Sequence, residues 1–202
     1  MKLYYSPGAC SLAPHIVLRE SGMDYSLEKT DLNTHQTAHG KDYYTINSRG
    51  QVPVLELDGG ERLTEGPIIA QYIADQARNT DLMPASGTMA RYRVMEWQNY
   101  VTAELHKSYT PLFNPDLNAD GKRVIADNLK KKYRWLASKL EGKQYLTGDT
   151  FTAADAYLFA VSGWATQVNL DLSDLPVLQQ YLARVAARPA VQEAMRAEGL
   201  LN

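Results

Sequence analysis

Cysteine is almost absent from this chain: Cys10 is the only one among 202 residues. No intrachain disulfide can form, so any disulfide made by Cys10 joins it to a separate molecule, such as a small thiol. Long apolar runs are missing too. None approaches the ~18 residues of a membrane-crossing helix, and the opening Met-Lys-Leu-Tyr-Tyr-Ser-Pro-Gly has no apolar core of a secretory leader. A reducing cytoplasm and no membrane partner are therefore expected. Nor is there an excess of one charge, since 21 Lys and Arg against 23 Asp and Glu give a net charge of −2. General nucleic-acid binders carry a basic excess or stripe, so none is expected here. Internal repeats and low-complexity tracts are also lacking.

What remains is an ordinary globular composition, 45% hydrophobic and 22% charged, which excludes a disordered chain or a coiled-coil rod. A chain of this length buries about 70% of its unfolded surface. One large domain or two small ones fit.

The first eighty residues alternate between strand and helix patterns. Residues 2–6 read as a strand closed by Pro7-Gly8, and residues 12–21 as a helix with Gly22 just past its end. Residues 25–31 read as a second strand, and residues 33–50 as a loop around a short helix. Residues 52–57 form a third strand, and Asp58-Gly59-Gly60 a hairpin turn leading to residues 62–64. Pro67 opens an apolar helical run, where proline is tolerated. Residues 79–87 form the link between two domains, 1–80 and 87–202. The second domain reads as helical throughout: one continuous helix over 89–107, then 122–140, 153–168, 175–187 and 190–198. The fold class is α/β followed by all-α.

Several residues sit where chemistry is possible. Cys10 follows the first strand's turn and precedes a helix whose first N–H groups lack helical partners. With Ser11 as N-cap, a thiolate there gains about 0.3–1 kcal/mol from the helix end. The alternative is a buried, inert cysteine. Cys10-Ser11-Leu12-Ala13 has no resolving thiol, so a thioredoxin-type redox motif is excluded. Pro53 at the head of a strand is either an ordinary trans edge proline or a cis one that turns the Val52 peptide outward to pair with an extended peptide. Glu65-Gly66-Pro67 places a carboxylate beside a helix start, together an acceptor for an ammonium and donors for a carboxylate; a plain capping glutamate is the alternative. Asn99, Ala103 and His106 share a helix face, although a lone histidine is more often surface or core. Glu104 and Lys107 read as solvated or interface charges. Thr152-Ala153-Ala154-Asp155 matches a structural capping box, with Phe151 as a staple partner.

Taken together, these residues resemble the glutathione transferase family, specifically its bacterial beta class. The matching stretches are Lys2-Leu3-Tyr4-Tyr5, Pro7-Gly8-Ala9-Cys10-Ser11-Leu12, Gly50-Gln51-Val52-Pro53-Val54-Leu55, Leu63-Thr64-Glu65-Gly66, Glu104-Leu105-His106-Lys107 and Phe151-Thr152-Ala153-Ala154-Asp155-Ala156-Tyr157. The Gly-Ala-Cys-Ser and Glu-Leu-His-Lys pieces point to beta.

The resemblance implies a thioredoxin-like N-terminal domain (βαβαββα), an all-helical C-terminal domain and a homodimer. Glutathione is the implied co-substrate, with no metal. It would be held by Cys10, His35, Val52 beside a cis Pro53, Glu65, Gly66, Asn99, Ala103, Glu104, Leu105 and His106, with Cys10 and His106 as catalytic residues. An apolar electrophile would lie between the domains, against Ala9, Tyr109, Phe113 and Trp164. Relatives usually carry lysine at the position of His35, which is mostly neutral at pH 7, and an Asn-Pro-Lys run at Asn47-Ser48-Arg49.

The implied activity joins the glutathione thiol to hydrophobic electrophiles. A glutathione-dependent disulfide reductase or dehalogenase-like activity through Cys10, or a non-catalytic binding module, are the alternatives. Lowering a thiol pKa from ~8.5 to ~6.5 raises its ionised fraction at pH 7 about 25-fold. A Brønsted slope of ~0.4–0.5 returns roughly six- to tenfold of that, so positioning must supply most of the acceleration.

Overall fold

The computed structural model describes residues 1–201; Asn202, the last residue of the expected helical half, lies outside them. β1 (Lys2–Tyr5) is the central strand of a sheet ordered β3-β2-β1-β4-β5. It runs parallel to β2 (Ser26–Asp31), with Leu3 opposite Leu27, and antiparallel to β4 (Val54–Glu56), with Leu3 opposite Leu55. A parallel pair needs a crossover, which α1 (Leu12–Ser21) supplies. β4 turns back into β5 (Arg62–Leu63) through the expected hairpin.

Successive strand residues face opposite sides of a sheet. Leu3 and Tyr5 therefore enter the main core with α1 and α2 (Gly66–Gln76), while Tyr4 joins a small second core of Tyr43, Ile46, Val52 and Val54. That small core lies under the segment that bears Val52. Two details depart from βαβαββα. A two-residue strand, β3 (Gln36–Thr37), pairs with β2 at the sheet edge. The middle helix shrinks to one 3-10 turn, Tyr43–Thr45, capped by Asp42, because its polar sequence offers no apolar stripe to bury.

The second half is helical. α3 (Met89–Tyr100) passes into a π turn, Val101–His106, then α4 (Lys107–Tyr109) and a 3-10 turn, Thr110–Phe113. The continuous helix expected over 89–107 is present, with a π turn within it. There the Thr102 hydroxyl donates to the Gln98 carbonyl at 2.9 Å, a side-chain bond of the kind that bends helices. α5 (Ala119–Leu140), α6 (Ala153–Ser162), α7 (Pro176–Ala186) and α8 (Pro189–Ala197) follow, and α6 ends at Ser162 instead of running to 168.

Every residue of α6 except Phe159 is buried, as expected of a helix apolar on all sides. Its start is fixed by Asp155. Oδ2 accepts the N–H and hydroxyl of Thr152, and Oδ1 accepts the Leu146 N–H and the Tyr181 hydroxyl, all at 2.8–2.9 Å. The capping residues read from the sequence thus sit in a buried network. Phe151, by contrast, packs on Tyr145 with the Arg188 guanidinium 4.2 Å above its ring.

The two halves share one core, which Leu82 and Met83 of the linking segment enter. The loop before Cys10 is clamped from the helical half. Gly8, in the left-handed region at φ 69°, donates its N–H to Glu198 at 2.9 Å, and its carbonyl accepts the Trp164 indole N–H at 2.8 Å. Glu198 also meets the buried His15 ring at 2.8 Å. Among the described residues no helix is long and apolar enough to cross a membrane.

Candidate functional site

A cleft of about 450 Å³ opens between the halves, within the usual size range for small-molecule sites. Its first wall is built on the sheet. Tyr43 and Asn47 both donate to the Gln51 carbonyl, at 3.0 and 2.6 Å, and so fix the segment leading to Val52. The Val52–Pro53 bond is cis, and the Val52 carbonyl accepts the Cys10 thiol at 3.3 Å. Gly50, at φ 64°, lies so close to His35 and Tyr44 that a Cβ would fall 2.8–2.9 Å from their rings.

Cys10 departs from expectation in its ionisation. Burial raises its thiol to about 11, against the lowering pull of its own N–H, the Ser11 N–H and Lys107. The helix end is too weak to offset desolvation of a thiolate. At pH 7 the thiol is protonated in all but about one part in ten thousand. Ser11 is not the cap either: it is itself helical at φ −61°. Its hydroxyl instead bridges Ser6, accepting the N–H and donating to the carbonyl at 3.2 Å.

Glu65 precedes α2 at φ 67°, a conformation costing about 1–3 kcal/mol in a residue with a side chain. Its carboxylate caps nothing. It lies in the cleft paired with Arg49 at 2.9 Å, both about half exposed. Gly66 and Pro67 line the cleft beside it.

The second wall is helical and less polar. His106, at the end of the π turn, has its Nδ1 2.6 Å from the Tyr157 hydroxyl, and its ring meets Trp164 edge-on at 4.8 Å. Burial, reinforced by Lys107 and opposed by Glu65, lowers His106 to about 4, so it is neutral at pH 7. Burial holds the Tyr157 phenol above its usual range.

Of the residues singled out in the sequence, Ala9, Cys10, Val52, Pro53, Glu65, Gly66, His106 and Trp164 line this one cleft. The others lie elsewhere. Asn99, Ala103 and Glu104 are exposed, and Glu104 pairs with Lys132 at 2.9 Å. Leu105 and Tyr109 are fully buried, and the Tyr109 hydroxyl donates to Tyr133 behind Trp164. Phe113 is half exposed at the rim, 6.0 Å from Trp164. His35, at φ 53°, stacks on Tyr44 at 4.4 Å behind Gly50.

Thr102 and Thr110, four residues to either side of His106, line the cleft with it and with Lys107, whereas Asn99 and Ala103 lie outside its lining. Lys107 was read as a solvated or interface charge, and Thr102, Thr110, Asn47, Arg49, Gln51 and Tyr157 were not given a site role. Asn47, Arg49, Gln51 and Tyr157 each lie within a stretch already singled out; Thr102 and Thr110 carried no signal of their own. Among the described residues no group of His, Cys, Asp and Glu is placed to hold a metal ion.

Comparison with known proteins places this geometry. A family model described as "Glutathione S-transferase, N-terminal domain" matches residues 1–75, and one described as "Glutathione S-transferase, C-terminal domain" matches residues 102–189. The glutathione S-transferase GstA of Escherichia coli O157:H7 is 46% identical, the match covering 99% of this chain and all of that one. A sphingomonad glutathione S-transferase solved in complex with glutathione and the beta-class enzyme of Sphingomonas chungbukensis are each 44% identical. Both superpose with TM-score 0.95, covering the whole of both chains.

Proposed function

This chain belongs to the glutathione S-transferase family, and on that footing we propose that its cleft takes reduced glutathione and joins the glutathione sulfur to apolar electrophiles. The bacterial beta class is the branch it falls in, by likeness to the Sphingomonas enzyme. The observation that carries the reading is the meeting of three features in one cleft: a charged pair, Glu65 and Arg49, a protonated thiol at Cys10, and a dry aromatic wall at Trp164.

Glu65 faces the ammonium of the γ-glutamyl end, while Arg49 and the Gly66 N–H, the one opening N–H of α2 without a backbone partner, face its carboxylate. The Val52 peptide pairs with the middle of the tripeptide. His35 stands behind Gly50, so Arg49 and Lys107 supply the positive charge along the cleft.

Cys10 acts as a donor, its one thiol proton turning from the Val52 carbonyl to the glutathione sulfur. A thiol is a weak donor, so its bond to the charged sulfur falls at the low end of the ~1.5–3 kcal/mol of bonds to charged acceptors and lowers the bound glutathione thiol by about one pKa unit from ~8.5. The ionised fraction at pH 7 then rises from about 3% to about a quarter. Protonation of Cys10 also disfavours the alternative in which it attacks a disulfide, because the thiolate is the nucleophile.

Asn99, Ala103 and Glu104 serve a second copy of the chain in this reading. Met89, Tyr92, Glu96 and Asn99 form one exposed stripe of α3, and Ile68, Met89 and Tyr92 are 50–68% exposed, an apolar face fit for a homodimer. The single free thiol suits a reducing compartment such as the cytoplasm.

Calorimetry with reduced glutathione, followed by turnover assays on an aryl halide and on a mixed disulfide, tests the proposal. Micromolar to millimolar binding with faster turnover of the halide is expected. No heat at millimolar glutathione, or turnover of the disulfide alone, contradicts it.

A further inference from the structure

Resting on that reading of the cleft, we propose that Tyr157 is a positioning residue: its hydroxyl donates to His106 Nδ1 and fixes the imidazole with its proton on Nε2, so that His106 presents a hydrogen-bond donor to the glutathione sulfur and not a base.

The argument is an inventory of protons. A single proton lies between Nδ1 and the phenol oxygen across 2.6 Å, and it comes from one of the two. Thr102 has one hydroxyl proton, which goes to the Gln98 carbonyl at 2.9 Å. If the imidazole donated, the phenol proton would need another acceptor. The one other side-chain oxygen in reach is Thr102 Oγ1 at 3.5 Å, beyond the 2.5–3.0 Å of ordinary O–H···O bonds, and Tyr157 is only 4% exposed. The phenol therefore donates, Nδ1 accepts, and a neutral imidazole must carry its proton on Nε2.

The cleft side agrees. His106 lines the cleft, and its Nε2 is neither hydrogen-bonded within the described residues nor sealed from solvent. Trp164 fixes the ring from one side, edge-on at 4.8 Å. A histidine that works as a base has an acceptor at the opposite nitrogen, such as a carboxylate, amide or backbone carbonyl, to steady the imidazolium; this one has a phenol that is already a donor and the Lys107 cation beside it. The arrangement stabilises negative charge on the sulfur and resists taking up its proton.

The test is the tautomer of His106 in the unliganded full-length protein, read from long-range proton–nitrogen spectra with His106 assigned by a His106→Gln variant. Wild type should show an unprotonated Nδ1 and a protonated Nε2 at pH 7. In Tyr157→Phe, which keeps the ring, that separation should collapse toward the mixture of a free imidazole. The ionisation of bound glutathione, seen in the pH dependence of kcat/KM for the electrophile at saturating glutathione, should also rise by about one unit, tenfold in turnover at low pH. A proton on Nδ1 in wild type, or unchanged nitrogen signals in Tyr157→Phe, overturns the proposal. Because the tautomer is read without glutathione, a chain that failed to turn over glutathione would sink the proposed function while leaving this result readable.

Discussion

The two walls of the cleft are made of opposite materials. The sheet wall is charged and half exposed: Glu65 and Arg49 face each other at 2.9 Å over the start of a helix. The helical wall is buried at its centre: His106 contacts both Tyr157 and Trp164, the three carry no charge at pH 7, and the one charge on this wall is the exposed Lys107 at its edge. Ionic ends of a substrate are caught where water remains, whereas a developing sulfur anion is best served where the donors are fixed beforehand. Cys10 sits between them, belonging to the sheet wall by position and to the dry wall by its raised thiol. The difference separates holding the tripeptide from activating it.

The largest effect should come from the footing of the dry wall. Asp155 accepts four donors at the start of the helix that carries Tyr157. Asp155→Ala leaves them buried without an acceptor and should cost about 3–5 kcal/mol in urea denaturation, roughly 6–20 °C in melting temperature for a chain of this size.

The next prediction sets the walls apart by pH. His106 ionises near 4 in the folded protein, below its usual value of 6.5. Its neutral form is favoured by folding, so its stabilising contribution is complete above pH 6.5 and is lost as pH falls through 4. The difference in unfolding free energy between wild type and His106→Gln should shrink by up to about 3 kcal/mol over that window. A constant difference would place His106 in a wet environment.

On the charged wall, Glu65→Gln should raise the KM for glutathione about tenfold while leaving kcat within twofold. It removes a half-exposed ionic contact made equally in ground and transition states. A fall in kcat at unchanged KM would break the division between the walls.

The same two walls differ in how far they can be read from sequence. On the sheet side the signals are local. A proline heading a strand, a glycine after a glutamate and a cysteine after a Pro-Gly turn each mark a backbone event at a fixed place. On the helical side the signal is phase. Several residues within two turns of His106 share its face, and spacing does not say which of them meet the cleft: Thr102 and Thr110 do, whereas Asn99 and Ala103 do not. Tyr157 was visible only within the stretch after the capping box; its meeting with His106 spans 51 positions and no spacing rule reaches it. The thiol of Cys10 was placed correctly and charged wrongly, because the helix end is legible in a sequence and burial is not.

The most direct check of this division is the ionisation of Cys10, followed as the rate of its alkylation by iodoacetamide against pH in the unliganded protein. The rate should keep climbing tenfold per pH unit beyond pH 9 with no plateau, in keeping with a thiol held near 11. A plateau reached by pH 8 would show a resident thiolate, and Cys10 would then be a nucleophile instead of a donor.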